Sequence, residues 1–551
     1  MQSDRLIGER RPATALFVDV VGSTSLAESV DPEDWSSTME RAMSIMSASV
    51  ERYGGWVANH LGDGFMALFG VPIAHEDDPA RAVSAAIEMV EGIGRFGEEL
   101  RATGIDFQIR IGIDTGEVVT RETAASGATR DSRHYGDTLN VAARMQSAAS
   151  PGGILITAAT KARLGPAIET RRVEPIEAKG KAEPVEAYEV VGRTGAVRSV
   201  RGIAGLASPM VGRQAEYEQL TALLPPVRAG LGRMAVIIGE PGIGKSRMLR
   251  ELRADAEALG MAWVEARTVS YGQNLPLHLA VDLVRALVGL PEALESIPPS
   301  EAGARLDTAL HELVGGADVE MAPILAHLLS LPLDAAGAER IAHIEPRTIQ
   351  RRYADALSAL LAGAARKTPL VLVCEDVHWA DDASVDLLLG LIGTLPASPI
   401  LWIVASRPDR DVPGWRLLGA ARETLGDALL ELRLGPLAAE DGERLVANLL
   451  EIESLPAATR EMIVARAEGN PLFVEEIIRM LIDRGAIESR DGRWRATDAV
   501  LDVEIPETLH GLLLARIDRL PGPARRVLRV ASVIGRTFPV SVLERVAGGR
   551  P

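Results

Sequence analysis

Ala13-Thr14-Ala15-Leu16-Phe17-Val18-Asp19-Val20-Val21-Gly22-Ser23-Thr24 reads as a strand of small and β-branched residues that runs into a carboxylate; a Gly-Ser-Thr turn then opens a helix. An acid at the end of a core strand is costly to bury unless something cationic sits against it. A second acid arrives in a similar setting. Residues 56–61, then Gly62-Asp63-Gly64, then residues 65–69 read as strand, tight turn and strand, a hairpin with Asp63 at its tip. Alone, a Gly-Asp-Gly is usually only a turn, and an Asp after a strand is usually only a helix cap. Together, two carboxylates on strand ends of one sheet can share a pair of divalent metal ions, the arrangement used for in-line attack at phosphorus. Downstream, Tyr135-Gly136-Asp137-Thr138-Leu139-Asn140-Val141-Ala142-Ala143-Arg144-Met145 begins as a turn and continues as a helix, with Asn140 and Arg144 at i and i+4 on one face. An amide beside a guanidinium suits a sugar ring and a charged phosphoryl group, although the plain reading of a helical Arg is a surface ion pair.

With these motifs in this order, residues 13–193 resemble the class III nucleotidyl cyclase catalytic domain. The resemblance is carried by residues 17–24, Leu61-Gly62-Asp63-Gly64, Arg110-Ile111-Gly112-Ile113-Asp114-Thr115-Gly116-Glu117 and residues 136–144. Lys179-Gly180 and residues 184–190 are similar to the family's closing strand. The resemblance implies a ferredoxin-like α+β sheet with helices on one face. It also implies that Asp19 and Asp63 hold two Mg²⁺ or Mn²⁺ ions, hard cations that prefer carboxylate oxygens. One ion would lower the pKa of the ribose 3′-hydroxyl and the other would bind the triphosphate, so that the 3′-oxygen attacks the α-phosphorus and pyrophosphate leaves. By the same resemblance Asn140 positions the ribose and Arg144 neutralises charge on the α-phosphate, both coming from the other subunit, so a homodimer carries two composite sites. Two positions depart from the family's purine-reading pair: Asn59 stands where a Lys is usual and Arg133 where an Asp or Thr is usual. ATP is the expected substrate, with GTP open. The rival reading is a nucleotide-operated scaffold whose cyclase domain is weak, uses GTP or is silent.

The 551 residues are too many for one core. With 47% apolar and 25% charged residues the composition is that of an ordinary globular protein. A formal charge of -17 argues against nucleic acid as a partner. The single cysteine, Cys374, leaves no internal disulfide or Cys-rich zinc ribbon and is most simply a core residue. A polar N-terminus and the lack of any run of 18 apolar residues give no signal peptide and no membrane span, and a cytoplasmic location is expected. Helices are expected over residues 31–53 and 78–100 and a strand over 107–113. Residues 121–133, polar and without period, read as a mobile arm, the region that in the resembled family embraces the partner subunit.

Residues 1–12 read as a tail and 194–208, rich in small residues, as a linker. A second module opens at Pro209-Met210-Val211-Gly212-Arg213, with an amphipathic helix through Leu224. The apolar strand 234–238 then leads into Gly239-Glu240-Pro241-Gly242-Ile243-Gly244-Lys245-Ser246 and a helix, a complete P-loop in its required context. Its glycine amides, Gly239, Gly242 and Gly244 among them, wrap phosphates; Lys245 reaches the β/γ oxygens of ATP and Ser246 its Mg²⁺. The apolar strand 370–374 ends in Glu375-Asp376, an acidic pair for Mg²⁺ and water whose division of labour stays open. The strand 400–405 ends in Ser406-Arg407, placing Arg407 as a phosphate sensor. With residues 377–381 and 469–476 these elements resemble the signal-transducing branch of P-loop ATPases over about 209–520, which implies a core over 209–435, a helical lid over 436–505 and a switch between open and closed states. Residues 506–551 look like the opening of a winged-helix module that stops short, as expected of a piece of a longer protein. The fold class expected overall is α/β multidomain.

Overall fold

The structure is a computed structural model. It describes residues 8–75, 77–101, 105–123, 131–164, 168–177, 184–193, 209–269, 272, 275–291, 294, 297–315, 321–450, 457–483, 486–490, 493–496, 517, 525 and 528. The expected linker, Lys179-Gly180 and, those last isolated positions apart, the winged-helix-like segment lie outside the described residues. The chain divides into two compact units, one built on Met1–Thr194 and one on Gly195–Glu504.

The first unit is organised around β1 (Gly8–Val20), the opening stretch of the sequence. Leaving it, Gly22 takes φ 66°, a left-handed turn that glycine adopts without penalty, and α1 (Ser23–Ser29) follows. Asp31 caps α2 (Pro32–Arg52) by accepting from the Glu33 backbone N–H, with Pro in the first turn. β2 (Trp56–His60) and β3 (Gly64–Phe69) form the hairpin, and α3 (Asp78–Arg101) returns to the sheet. Then come β4 (Ile109–Thr123), β5 (Asp131–Tyr135), α4 (Asp137–Ala148), β6 (Ile154–Thr157), the short α5 (Ala158–Lys161), β7 (Ile168–Arg172) and β8 (Ala187–Arg193). The strand order is β2-β3-β1-β4-β6-β8-β7, with β5 on β4. β1 is therefore interior, antiparallel to β4 along its whole length and to β3 over Thr14–Asp19.

Two expectations change. The strand expected over 107–113 runs on to Thr123, and Asp131–Tyr135 pairs back on it, so the polar arm is strand on both sides of residues 124–130. What pairs it is the antiparallel β4–β5 ladder, whose backbone hydrogen bonds require no apolar alternation in the sequence. The helices also cover both faces of the sheet rather than one. Ala142 of α4 clusters with Ala13, Ala15 and Leu68. On the opposite pleat Phe69 lies against the end of α2, close enough that a Cβ on Gly55 would sit 2.5 Å from its ring and 2.8 Å from Val50.

α4 reaches the sheet because β4 offers it a glycine. A Cβ on Gly112 would lie 1.9 Å from the Gln146 backbone nitrogen and 2.3 Å from the Ala142 carbonyl oxygen. Gly112→Ala must push the helix away or unseat the strand, and is expected to cost about 3 kcal/mol in urea unfolding.

In the second unit α6 (Gln214–Thr221) occupies the helix expected through Leu224, and a separate short α7 (Leu224–Arg228) follows, with Pro225 and Pro226 in its first turn. β9 (Arg233–Gly239), α8 (Lys245–Ala258), β10 (Ala262–Arg267), β11 (Leu370–Glu375), β12 (Ile400–Ser406) and β13 (Leu429–Leu434) form the unit's central sheet and the helix that follows its P-loop motif. The sheet is wholly parallel, in the order β10-β11-β12-β9-β13. Alternate residues of its strands enter two separate cores, Val236, Leu372 and Val404 on one face and Ala235, Val371 and Ile403 on the other. Burial on both faces is why these strands read as unbroken apolar runs. Cys374 is fully buried, its thiol pushed up to about 12 by that burial, so it packs as a small apolar residue. Helices Ala439–Leu450, Ala457–Ala467 and Pro471–Asp483 pack as a further cluster.

Candidate active sites

The β2–β3 hairpin closes on a two-residue loop, with the Leu61 N–H donating to the Gly64 carbonyl at 2.8 Å. Gly62 takes φ 74°, and Gly64 pairs directly across from Asp19; a Cβ on Gly64 would lie 2.1 Å from the Val18 carbonyl oxygen. The glycines around Asp63 thus let the hairpin tip close down on the end of β1. Ser23, at the start of α1, donates its hydroxyl to Asp63 Oδ2. Asp19 and Asp63 lie close enough to interact directly. Burial, opposed by Arg110 and reinforced by the Asp63 charge, pushes the Asp19 carboxyl above the usual carboxylate range. Among the described residues no third His, Cys, Asp or Glu joins them in a metal-ligating cluster, so the acids form a pair. Two half-buried carboxylates with mutually unfavourable charge are oxygen donors that fit hard divalent cations.

Sequence reasoning quoted two neighbours of this pair without giving them a task. Arg110 stands directly opposite Asp19 in the β1–β4 pairing and donates to its Oδ2 from Nη2 at 2.9 Å and Nε at 3.3 Å. Ser23 is the other. A third, Gln146 of α4, carried no sequence signal; its buried side chain donates Nε2 to the same Asp19 oxygen at 3.2 Å.

Asn140 and Arg144 do lie on one face of α4, but that face is turned from the Asp pair. Thr138, Val141, Ala142, Met145 and Gln146 are the buried positions of the helix, while Asn140 is exposed and Arg144 half-buried. At roughly 100° per residue the Asn140–Arg144 face is about 140° around the helix from Gln146, which touches Asp19. A single chain therefore does not bring all four side chains together. Asn59 is exposed on β2, beside an irregularity between Val57 and Asn59 in its pairing. Arg133 lies in β5 opposite Arg121, and its side chain is outside the described set.

In the second unit the P-loop joins β9 to α8 at the carboxyl ends of the strands, where ligands of open parallel sheets bind. Gly242 and Gly244 take φ 75° and 106°. Lys245 is buried and donates to the Gly239 and Glu240 carbonyls at 2.7 and 3.1 Å. Burial lowers its ammonium from the ordinary 10.5 to about 8, with Arg407 adding to the shift and nearby carboxylates opposing it. The acidic pair divides. Ser246 donates its hydroxyl to Glu375, whose carboxyl burial raises to about 7 against the opposing Arg267 charge. Arg267 grips Asp376 through Nε and Nη2, both at 2.9 Å. Burial works against the Asp376 charge, but Arg267, His378 and Lys245 hold its carboxyl below the usual range. Arg407 follows β12 with its guanidinium 5.5 Å from the centre of the Trp379 ring. The segment 470–472 contacts the P-loop itself: Asn470 donates Nδ2 to the Pro241 carbonyl at 2.9 Å, and the Leu472 N–H reaches the Gly242 carbonyl at 3.3 Å.

The first unit has the fold of a nucleotidyl cyclase domain; the second, with its P-loop, has that of an ATPase domain. Residues 8–192 match the adenylate and guanylate cyclase catalytic domain family, residues 209–403 match the AAA ATPase domain family, and residues 438–495 match a domain of unknown function. The chain thus carries an adenylate/guanylate cyclase catalytic domain fused to an AAA ATPase domain. An uncharacterized protein of Rhizobium meliloti (strain 1021) is 29% identical over 97% of this chain and 50% of its own length. Adenylate cyclase 1 of the same organism is 28% identical over 34% of this chain and 29% of its own. The chain thus spans half or less of the length of these curated relatives. Among solved structures, the adenylyl cyclase CyaB from P. aeruginosa is 30% identical, covering 36% of this chain and all of its own, with a TM-score of 0.33. Among the described residues no helix is long and apolar enough to cross a membrane.

Proposed function

We propose that residues 13–193 form a homodimeric adenylate cyclase that converts ATP to 3′,5′-cyclic AMP and pyrophosphate. A P-loop core over 209–435 and a lid over 436–505 act as its nucleotide-operated switch. The observation that carries this reading is the opposed placement of the two halves of the site. Asp19 and Asp63 converge at the end of the interior strand β1, while Asn140 and Arg144 face away from them on the far side of α4. A second copy related by a two-fold axis can supply to each Asp pair the Asn and Arg that its own chain turns outward.

Asp19 and Asp63 would hold divalent ions, Mg²⁺ or Mn²⁺, which would supply positive charge beside the ribose 3′-oxygen and the triphosphate. Asn140 of the partner orients the ribose so that its 3′-oxygen stands in line with the α-phosphorus. Arg144 of the partner meets the charge that grows on the α-phosphate as the P–O bond forms. Asn59 and the segment around Arg133 face the purine, an atypical pair for which adenine is the proposed base. In the switch, Lys245 and the loop glycines bind the phosphates of a second ATP, and Ser246 with Glu375 takes its Mg²⁺.

Incubation of the purified chain with Mn²⁺ and either ATP or GTP, with detection of cyclic product and pyrophosphate, tests the reaction and the base together. No product from either nucleotide overturns the reading in favour of a scaffold. The dimer is tested by mixing two inactive variants, Asp63→Ala and Arg144→Ala. Equal amounts are expected to recover about a quarter of wild-type activity, since half the dimers form between variants and each of those holds one intact site. Absence of recovery despite subunit exchange counts against a shared site.

A further inference from the structure

We infer that Arg110 and Gln146 are positioning residues that aim the Asp19 carboxylate at its cation and set how tightly that cation is held. The inference deepens the cyclase reading and rests on it. Arg110 Nη2 and Nε and Gln146 Nε2 all donate to one oxygen of Asp19, Oδ2, at 2.9, 3.3 and 3.2 Å. Three donors saturate the acceptor capacity of that oxygen and leave Oδ1 as the one available to an ion. They also fix both torsions of a short side chain, since one donor comes from the neighbouring strand and the other from a helix above it.

The two donors differ in what they cost. Arg110 places a full positive charge against a carboxylate that must also take a divalent ion, so it opposes cation binding while it orients the ligand. Gln146 orients without charge. It also sits two residues beyond Arg144 on α4, so the helix that presents Asn140 and Arg144 outward is pinned, on its inner face, to the acid of its own chain's cation pair. A residue that only filled space here would change stability and cation binding together. A positioning residue separates binding from turnover.

The test is a Mn²⁺ titration of the full chain, without nucleotide, followed by the loss of the free-ion EPR signal. The same titration of Asp63→Ala is subtracted to isolate ions held by the pair. Arg110→Met is expected to bind Mn²⁺ about tenfold more tightly than wild type, because the opposing charge is gone, while kcat falls at least about thirtyfold. Gln146→Leu is expected to leave Mn²⁺ affinity within about threefold and KM unchanged while kcat falls about tenfold. Arg110→Lys, which keeps the charge and loses the fork, is expected to hold Mn²⁺ as wild type does with reduced kcat. Should Arg110→Met bind Mn²⁺ no more tightly than wild type, with native circular dichroism and melting temperature, the inference is wrong. Unchanged kcat in Gln146→Leu would be equally fatal to it. If wild type and Asp63→Ala titrate identically, the cation pair itself fails, and the cyclase reading fails with it.

Discussion

Asp63→Ala is expected to lower cyclic-nucleotide formation by at least about a thousandfold, the scale of losing a metal-binding carboxylate at a phosphoryl-transfer centre. The fold is expected to survive. Asp63 sits at the tip of a two-residue hairpin loop, where its carboxylate accepts from the Ser23 hydroxyl and lies against Asp19. Its charge works against Asp19, whose proton affinity it helps to raise. Removing it relieves a like-charge contact, so the melting temperature is expected to hold or rise slightly at neutral pH. Activity lost together with a collapsed melting curve would mean that the hairpin, not its carboxylate, is what matters. The measurement pairs product formation with calorimetry on the same preparation.

The second large effect is expected at the P-loop. Lys245→Ala is expected to weaken ATP binding to the second unit by about a hundredfold or more, because a buried ammonium among loop carbonyls is the principal charge offered to the phosphates. The same residue gives that binding a pH dependence. Its ammonium is lowered from the ordinary 10.5 to about 8, so below pH 8 the lysine is charged and above it the neutral amine prevails. ATP affinity at this site is expected to fall as pH rises through and beyond that value, since bound phosphate favours the charged form. Stability of the nucleotide-free unit runs the other way. A lysine whose folded pKa lies below its unfolded one costs stability while charged, so stability contributed at this position rises between about 8 and 10.5. Isothermal titration of Asp63→Ala, whose cyclase site is disabled, across pH 7 to about 9.5 would read the affinity without turnover. A flat profile would put Lys245 outside the phosphate contact. Under the proposed switch, Lys245→Ala also changes the cyclase rate of the full chain, and an unaltered rate would disconnect the two units.

Much of both sites was legible because their chemistry is local. Gly62-Asp63-Gly64 announces a hairpin tip wherever it is flanked by strands, and the P-loop announces itself by glycines at positions whose φ is left-handed. What escaped was set by pairing between distant segments. Arg110 was visible as a residue but its place beside Asp19 follows from the β1–β4 register, and Gln146 reaches Asp19 across 127 positions of sequence. Glu375 and Asp376 looked alike on paper. They are told apart because one faces Ser246 at the head of α8 and the other faces Arg267 on the neighbouring strand. The arm at 121–133 was misread for a different reason: its two strands are held by backbone pairing to each other, which asks for no apolar pattern in the side chains.

The amino-acid sequence by itself determined that a cyclase catalytic domain and an AAA ATPase domain share the chain, and which short motifs offer the candidate residues of each. Those properties depend on residue type at short spacing, which local backbone geometry converts directly into position. The tertiary structure alone decided that Asn140 and Arg144 turn away from the acids of their own chain, that Arg110 and Gln146 clamp Asp19, and that Asn470 bonds to the P-loop. Each of these is a hydrogen bond or a helix face whose direction comes from how remote elements pack, and packing is a property of the assembled core rather than of any one segment.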